Sequence, residues 1–301
     1  MVIFCIVFAF LLFLFPSLRI VFAHPFRTLK NAIVDLYNYL RYRQYNIAPT
    51  GNTRAYCGEF GHGKTLSCTH DIRKFYKRYN NKRFFDTSRN MWVTQKVCVL
   101  SNVAFTDIPY VDFVSLNQIV EWSRPERRQI DIDNNIRSVL CALVDEASVQ
   151  LNSRNYKSNI DAEFLNSLMT CRHNNIAFLY FTAPRFAHID AMLRQVTHEV
   201  VSCDKKWRFA KYRVYDGLDV EECSNYSMLR SLRRGVWFVR DSDYNAYDTL
   251  QCVDNFVKSY DSSDFLPEVE ILLARGNRQD VDADHIRNPS HSTKRLLRKR
   301  K

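Results

Sequence analysis

The sequence predicts an α/β domain with a mostly parallel sheet covered by helices on both faces. Three observations carry that prediction. The octapeptide Gly58-Glu59-Phe60-Gly61-His62-Gly63-Lys64-Thr65 fits G-x-x-x-x-G-K-[ST], the Walker A phosphate loop. The run Ser138-Val139-Leu140-Cys141-Ala142-Leu143-Val144 is apolar and ends in Asp145 and Glu146, as a buried parallel strand that delivers carboxylates at its C-terminal end would. Around these two motifs, strand-like and helix-like segments alternate along the chain.

The N-terminus differs from the rest. Val2 to Phe15 is uninterrupted hydrophobe, and Ser17 to Ala23 continues it with one charge, Arg19. Taken to Ala23 the stretch is long enough to span a bilayer. No positive charge precedes it, as a cleaved secretory signal would require, although Val21-Phe22-Ala23 has a small residue where cleavage would fall. Arg19, Arg27, Lys30, Arg41 and Arg43 lie in and after the run, which places the C-terminal bulk in the cytoplasm by the positive-inside rule. Residues 1–23 are therefore expected to be a retained single-pass anchor in the host inner (cytoplasmic) membrane, which Pro16 can kink.

Residues 24–53 form the next expected segment. Leu29, Ile33, Leu36 and Leu40 predict a juxtamembrane helix over Pro25 to Arg43, followed by a linker from Ile47 to Thr53. The nucleotide-binding domain is expected over 54–249. It opens with a strand from Arg54 to Cys57 and a helix from Thr65 to Arg78. A strand from Lys96 to Val103 follows, then a helix over Val111 to Trp122 and a charged loop from Arg124 to Arg128. After the acid-tipped strand come a helix over Asp161 to Arg172, a buried strand Ile176 to Phe181 ending at Thr182, and a helix over Phe186 to Val196. Trp207 to Val214 and Val236 to Arg240 are expected as late, half-exposed strands. Residues 250–301 form a polar C-terminal extension.

Each residue of the loop has a chemical task. The glycines let backbone N–H groups close around phosphate oxygens, and a helix N-terminus behind them adds its dipole. Gly58 through Thr65, with Leu66 beyond, form the expected nucleotide-binding segment. Lys64 reaches the β/γ phosphates, and Thr65 and Asp145 are the Mg²⁺ ligands. Glu146, one residue on, is placed to polarise an attacking water. Thr182 stands where either a hydroxyl that senses the γ-phosphate or a simple helix cap would stand. ATP and Mg²⁺ are the expected cofactors, and Lys64, Asp145, Glu146 and Thr182 the expected catalytic set.

Composition narrows the partners. The net charge is +11, with 43 basic and 32 acidic residues, which suits a polyanion or an anionic membrane face. Part of the excess lies in the tail Lys294-Arg295-Leu296-Leu297-Arg298-Lys299-Arg300-Lys301, readable as a solubilising tail or as a binding segment. The nine cysteines contain no C-x-x-C pair, and the eight histidines form no ligand spacing with them, so no structural zinc is expected. Cys57, Cys98 and Cys141 fall in apolar runs, as reduced, buried thiols do. Three of only seven glycines lie in the phosphate loop.

Taken in order, these motifs resemble the zonula occludens toxin (Zot)-like ATPases of filamentous phages, within the FtsK/HerA branch of RecA-type P-loop NTPases. The signposts are the loop Gly58–Thr65, Leu100-Ser101-Asn102-Val103, Val144-Asp145-Glu146-Ala147, Arg172-His173 before a strand, Ile189-Asp190 with Arg194 in a helix, and Tyr247-Asp248-Thr249. They cover about two-thirds of the chain. Gram-negative relatives usually carry their membrane helix after the ATPase, followed by a periplasmic domain, whereas here the apolar run comes first. Where relatives often have Gln after the sensor position, this chain has Ala183. The resemblance implies a membrane-anchored ATPase that drives phage assembly and virion extrusion and works as a ring-like homo-oligomer. Phage coat proteins or phage DNA would be its partners. A ring lets a neighbour supply an arginine finger, for which Arg172, Arg185 and Arg194 are candidates, each equally readable as a surface or DNA-facing residue. The rival readings are a DNA-packaging or DNA-translocating ATPase and a non-catalytic nucleotide-binding membrane scaffold.

Overall fold

The structure is a computed structural model that describes residues 15–150, 162–223, 228–247, 268 and 270–273. The chain divides into two units, Met1–Ile47 with Arg83–Trp92, and Ala48–Lys82 with Val93–Lys301.

In the smaller unit the expected helix is present. Two helices, α1 (Pro16–Ala23) and α2 (Pro25–Arg41), meet at His24, whose φ −134° and ψ 58° break the helical path ahead of Pro25. The apolar stripe of α2 is exposed at Leu29, Ile33, Leu36 and Leu40. Among the described residues no helix is long and apolar enough to cross a membrane. Most of the apolar run Val2 to Ala23 lies outside the described residues.

The larger unit opens with β1 (Asn52–Cys57), the phosphate loop and α3 (Lys64–Tyr79). Strand β1 claims Asn52 and Thr53 from the expected linker, and Ala48 is buried, its N–H donated to Gln95 at 2.9 Å. After α3 come β2 (Lys82–Asp86), most of which belongs to the smaller unit, and β3 (Met91–Ser101). Next are β4 (Val111–Asp112), α4 (Asn117–Trp122), α5 (Pro125–Asp133) and β5 (Ile136–Val144). Then follow α6 (Ala147–Gln150), α7 (Ala162–Met169), β6 (Ile176–Ala183) and α8 (Ala191–Gln195). The chain continues through β7 (Glu199–Lys206), β8 (Phe209–Asp216), α9 (Gly217–Glu222), β9 (Arg233–Phe238) and α10 (Asp241–Tyr244).

The strands of this unit lie in the order β3-β5-β6-β1-β7-β8-β9, with β4 beside β3. The pairs from β3 to β7 are parallel, while β7-β8 and β8-β9 are antiparallel. Alternate residues of the central strands feed two cores. On one face Leu100, Leu140, Ala142, Val144 and Phe181 meet Ile119, Trp122, Phe164 and Leu168 of α4 and α7. On the other, Val99, Cys141, Leu143 and Tyr180 meet Cys68, Ile72 and Phe75 of α3. Cys57, Cys98 and Cys141 are buried free thiols, and burial pushes each thiol pKa up.

Three expected elements are corrected. Val111 to Trp122 is not one helix, because Val111 and Asp112 pair with Leu100 and Ser101 as β4. Gln118 then closes the turn into α4, accepting from Val114 N and Ser115 N at 2.9 and 3.1 Å and donating to Asp112 O at 3.0 Å. The charged loop Arg124 to Arg128 is the start of helix α5, held by a buried ion network rather than by an apolar stripe. Arg127 donates to Asp131 at 2.9 Å, Asp131 accepts from Ser138 N at 2.9 Å, and the Arg127 guanidinium lies over the Trp122 ring. The helix over Phe186 to Val196 is divided, since the extended backbone of Ile189 ends a short 3₁₀ turn and Asp190 caps α8 by accepting from Met192 N at 2.9 Å. Two strands, β2 and β7, escaped the sequence reading, and Trp207 lies in the β7-β8 turn at φ 53° rather than in a strand.

Candidate nucleotide site

The phosphate loop leaves the C-terminal end of β1 and runs into the N-terminus of α3. Gly63 caps that helix in the left-handed region at φ 76°, where a side chain would be strained. Gly58 is needed for a different reason, because a Cβ there would lie 2.7 Å from the Cys203 carbonyl oxygen of β7. The Lys64 side chain curls back over the loop, donating to Glu59 O at 3.1 Å, with its ammonium 5.2 Å from the centre of the Phe60 ring. Glu59, Phe60 and Gly61 are exposed. His62 lies between Glu59 and Asp204, 3.8 and 3.7 Å from their carboxylates. Leu66, counted with the loop from the sequence, turns its side chain into a buried cluster with Ala210 and Val239.

The two acids arrive at the end of β5. Asp145 is 7% exposed, and its Oδ1 accepts from Thr65 Oγ1 at 2.9 Å and from Thr182 Oγ1 at 2.5 Å. Burial raises the Asp145 pKa above its ordinary value, opposed by those two hydrogen bonds and by the Lys64 charge. Glu146 sits at φ 52°, a left-handed backbone that a glutamate adopts at a cost. Its N–H is donated to Thr182 Oγ1 at 3.0 Å, and burial, then the Asp145 charge, raises its carboxyl pKa. A hydroxyl has one hydrogen to give. Thr182 gives its hydrogen to Asp145, so it ties the two acids together from the end of β6.

Asn102, at the end of β3, completes the arrangement. Its Oδ1 accepts from Asp145 N at 2.8 Å and its Nδ2 donates to Asp145 O at 3.0 Å, a two-bond clamp on the peptide that carries the acid. The resemblance marked Asn102 as a signpost, but nothing in the sequence showed the clamp. Tyr247 lies near Asp145, and burial pushes its phenol up to about 12. Asp248 and Thr249 lie outside the described residues.

Strand β6 stands between loop strand β1 and acid strand β5, in parallel register with both. The loop, the acids and Thr182 therefore meet at one end of the sheet, where open α/β sheets bind ligands. The fold is that of a P-loop NTPase.

The chain is similar in structure to the N-terminal domain of zonular occludens toxin from Neisseria meningitidis, at 19% identity, covering 66% of this chain and 100% of that one with a TM-score of 0.42. It is also similar to the genome packaging NTPase B204 from Sulfolobus turreted icosahedral virus 2 in complex with ATP-gammaS, at 12% identity over 62% and 97% of the two chains, TM-score 0.36. A third is EssC (ATPases 2 and 3) from Geobacillus thermodenitrificans, at 12% identity over 75% and 43%, TM-score 0.34. No protein-family profile and no curated protein matches the sequence.

The three arginines separate in space. Arg172 is exposed beside Gly51, at the end of the sheet opposite the loop. Arg194 is ion-paired with Glu221 of α9 at 2.9 Å. Arg185 is exposed just past the end of β6, on the loop side of the sheet. The donor set also suits a hard divalent cation. Thr65 Oγ1 and Asp145 Oδ1, two oxygens 2.9 Å apart at a helix N-terminus, are the ligand type that Mg²⁺ takes.

Proposed function

We propose that the chain is a membrane-anchored, Zot-like ATPase whose hydrolysis of ATP drives assembly and extrusion of a filamentous phage. The observation that carries the catalytic part is the constrained acid pair. Asn102 fixes the Asp145 peptide, Thr182 bonds both Asp145 and Glu146, and Glu146 holds a strained φ of 52°. A scaffold that only binds nucleotide has no use for strain at that position.

In this reading the loop N–H groups and Lys64 bind the β and γ phosphates, with Lys64 exchanging the Glu59 carbonyl for phosphate oxygens. Thr65 and Asp145 would hold Mg²⁺, which would supply positive charge against that building on the phosphoryl group. Glu146 accepts the proton of the attacking water, and a raised pKa makes it a stronger base. Arg185 of a neighbouring copy is the favoured arginine finger, because Arg194 already has a partner and Arg172 lies at the far end of the sheet. The anchor, the cytoplasmic orientation and the coat-protein or phage-DNA partners rest on the apolar run Val2 to Ala23, the basic residues around it and the sequence resemblance.

The test uses purified full-length protein. Glu146→Gln is expected to bind a fluorescent ATP analogue with Mg²⁺ normally and to hydrolyse ATP about 10²–10⁴-fold more slowly. Normal turnover in that variant removes Glu146 as the base. Lys64→Ala is expected to lose nucleotide affinity or turnover with an unchanged circular dichroism spectrum. Mixing Arg185→Ala with Lys64→Ala is expected to restore part of the activity, and a full rate from a dilute monomer would end the ring reading. Mass spectrometry of the membrane fraction is expected to find residues 1–23 intact, and recovery of the protein in the soluble fraction would end the anchor reading.

A further inference from the structure

On one face of the antiparallel strands β7, β8 and β9, beyond the Val200–Tyr215 row that packs with Val220 of α9, lie three rows that no described element covers. The register makes them explicit. Lys206, Phe209 and Phe238 form the row nearest the β7-β8 turn, Asp204, Lys211 and Val236 the next, and Ser202, Arg213 and Arg234 the third. Phe209, Val236 and Phe238 are 45, 58 and 48% exposed, and Trp207 in the adjoining turn is 71% exposed. The rings of Trp207, Phe209 and Phe238 touch one another, with centroids 5.7 to 6.1 Å apart. Lys206, Lys211, Arg213 and Arg234 are all exposed and are in no ion pair among the described residues. Against these four cations the three rows hold a single acid, Asp204.

We infer that this face is a binding platform for single-stranded nucleic acid. Exposed rings beside a track of cations are what a sequence-tolerant single strand requires, because every base has a face to stack and every nucleotide a phosphate to neutralise. Successive rows are about 7 Å apart along the strands, a step that an extended sugar-phosphate backbone can follow from the rings onto Lys211, Arg213 and Arg234. A lipid surface fits less well. Phe209 and Phe238 are the end residues of β8 and β9 beside the Trp207 turn, but the cations run from them along the flat of the sheet over Lys211, Arg213 and Arg234. The platform also adjoins the nucleotide site. Gly58 abuts the Cys203 carbonyl of β7, and His62 of the loop lies 3.7 Å from Asp204 in the middle row.

The inference does not rest on ATP hydrolysis, and its test keeps the two apart. Full-length protein without nucleotide is titrated into a fluorescein-labelled oligo-dT of about 20 nucleotides, longer than the ~4–16 that one such platform occupies. Anisotropy is read at several salt concentrations. Phe209→Ala with Phe238→Ala is expected to weaken binding about 5-fold or more per ring. Lys211→Gln with Arg213→Gln and Arg234→Gln is expected to lower the slope of log affinity against log salt by about 2. Both variants should retain the parent circular dichroism spectrum and bind the fluorescent ATP analogue as the parent does. Absence of oligo-dT binding at low salt, or parental affinity in both variants, overturns the platform. So does a loss confined to phosphatidylserine vesicle binding or to self-association. Intact oligo-dT binding by a chain that does not hydrolyse ATP would leave the platform standing and remove only the ATPase reading.

Discussion

Every residue of β6 is buried, whereas β9, four strands away in the same sheet, has none that is. Both strands are rich in apolar and aromatic side chains. They differ in what lies over them. Strand β6 is covered on both faces by helices, with its neighbours parallel to it, and its end holds Thr182 against the two acids. Strand β9 belongs to an antiparallel meander that packs toward α3 on one side and leaves Phe238, Val236 and Arg234 uncovered on the other. A strand packed on both faces fixes side chains to the tolerance that chemistry requires. A strand packed on one face leaves a surface for a partner.

The sharpest way to break the comparison is to make one substitution in both places. Phe181→Ala in β6 removes a side chain with no exposure and is expected to cost about 3–5 kcal/mol in a urea melt. A loss below about 1 kcal/mol would mean that the parallel core tolerates cavities and is not the rigid base described above. Asn102→Ala comes next. It strips both partners from the Asp145 peptide and is expected to cost about 1–3 kcal/mol for the groups left unpaired. Turnover should fall further than nucleotide affinity, because the clamp orients the acid and does not touch the loop. Equal losses in both would make Asn102 a purely structural residue. The smallest effect is expected from Phe238→Ala in β9, within about 0.5 kcal/mol of the parent. A larger loss would show that the three exposed rings are part of the core.

The same contrast explains which elements were legible. Strands β5 and β6 are near-continuous apolar runs because both faces are buried, so their positions could be read directly. Strand β7 was missed because Glu199, Asp204, Lys205 and Lys206 break its pattern, and its partial burial comes from neighbours distant in sequence. Helix α5 was missed because its contacts with the core are Arg127 and Asp131, a buried ion pair that reads as surface charge. In the site, loop and acids were evident from spacing alone. Thr182 was identified by its place at a strand end, but its partners were not. The strain at Glu146 and the Asn102 clamp have no local signature, since both arise where the ends of β3, β5 and β6 come side by side.

Local chemistry was enough to specify the phosphate loop, the helix behind it and a buried strand tipped with two acids. Glycine conformation, helix dipoles and apolar runs are properties of neighbouring residues, and they survive in a linear text. The order β3-β5-β6-β1-β7-β8-β9 was decided only in three dimensions. That order places β6 between the loop and the acids, and leaves three rows of the meander uncovered on one side. The physical reason is that hydrogen bonds such as Thr65 to Asp145 and Asn102 to Asp145 join residues far apart in the chain. Which of many possible partners a polar group finds depends on how the whole sheet packs.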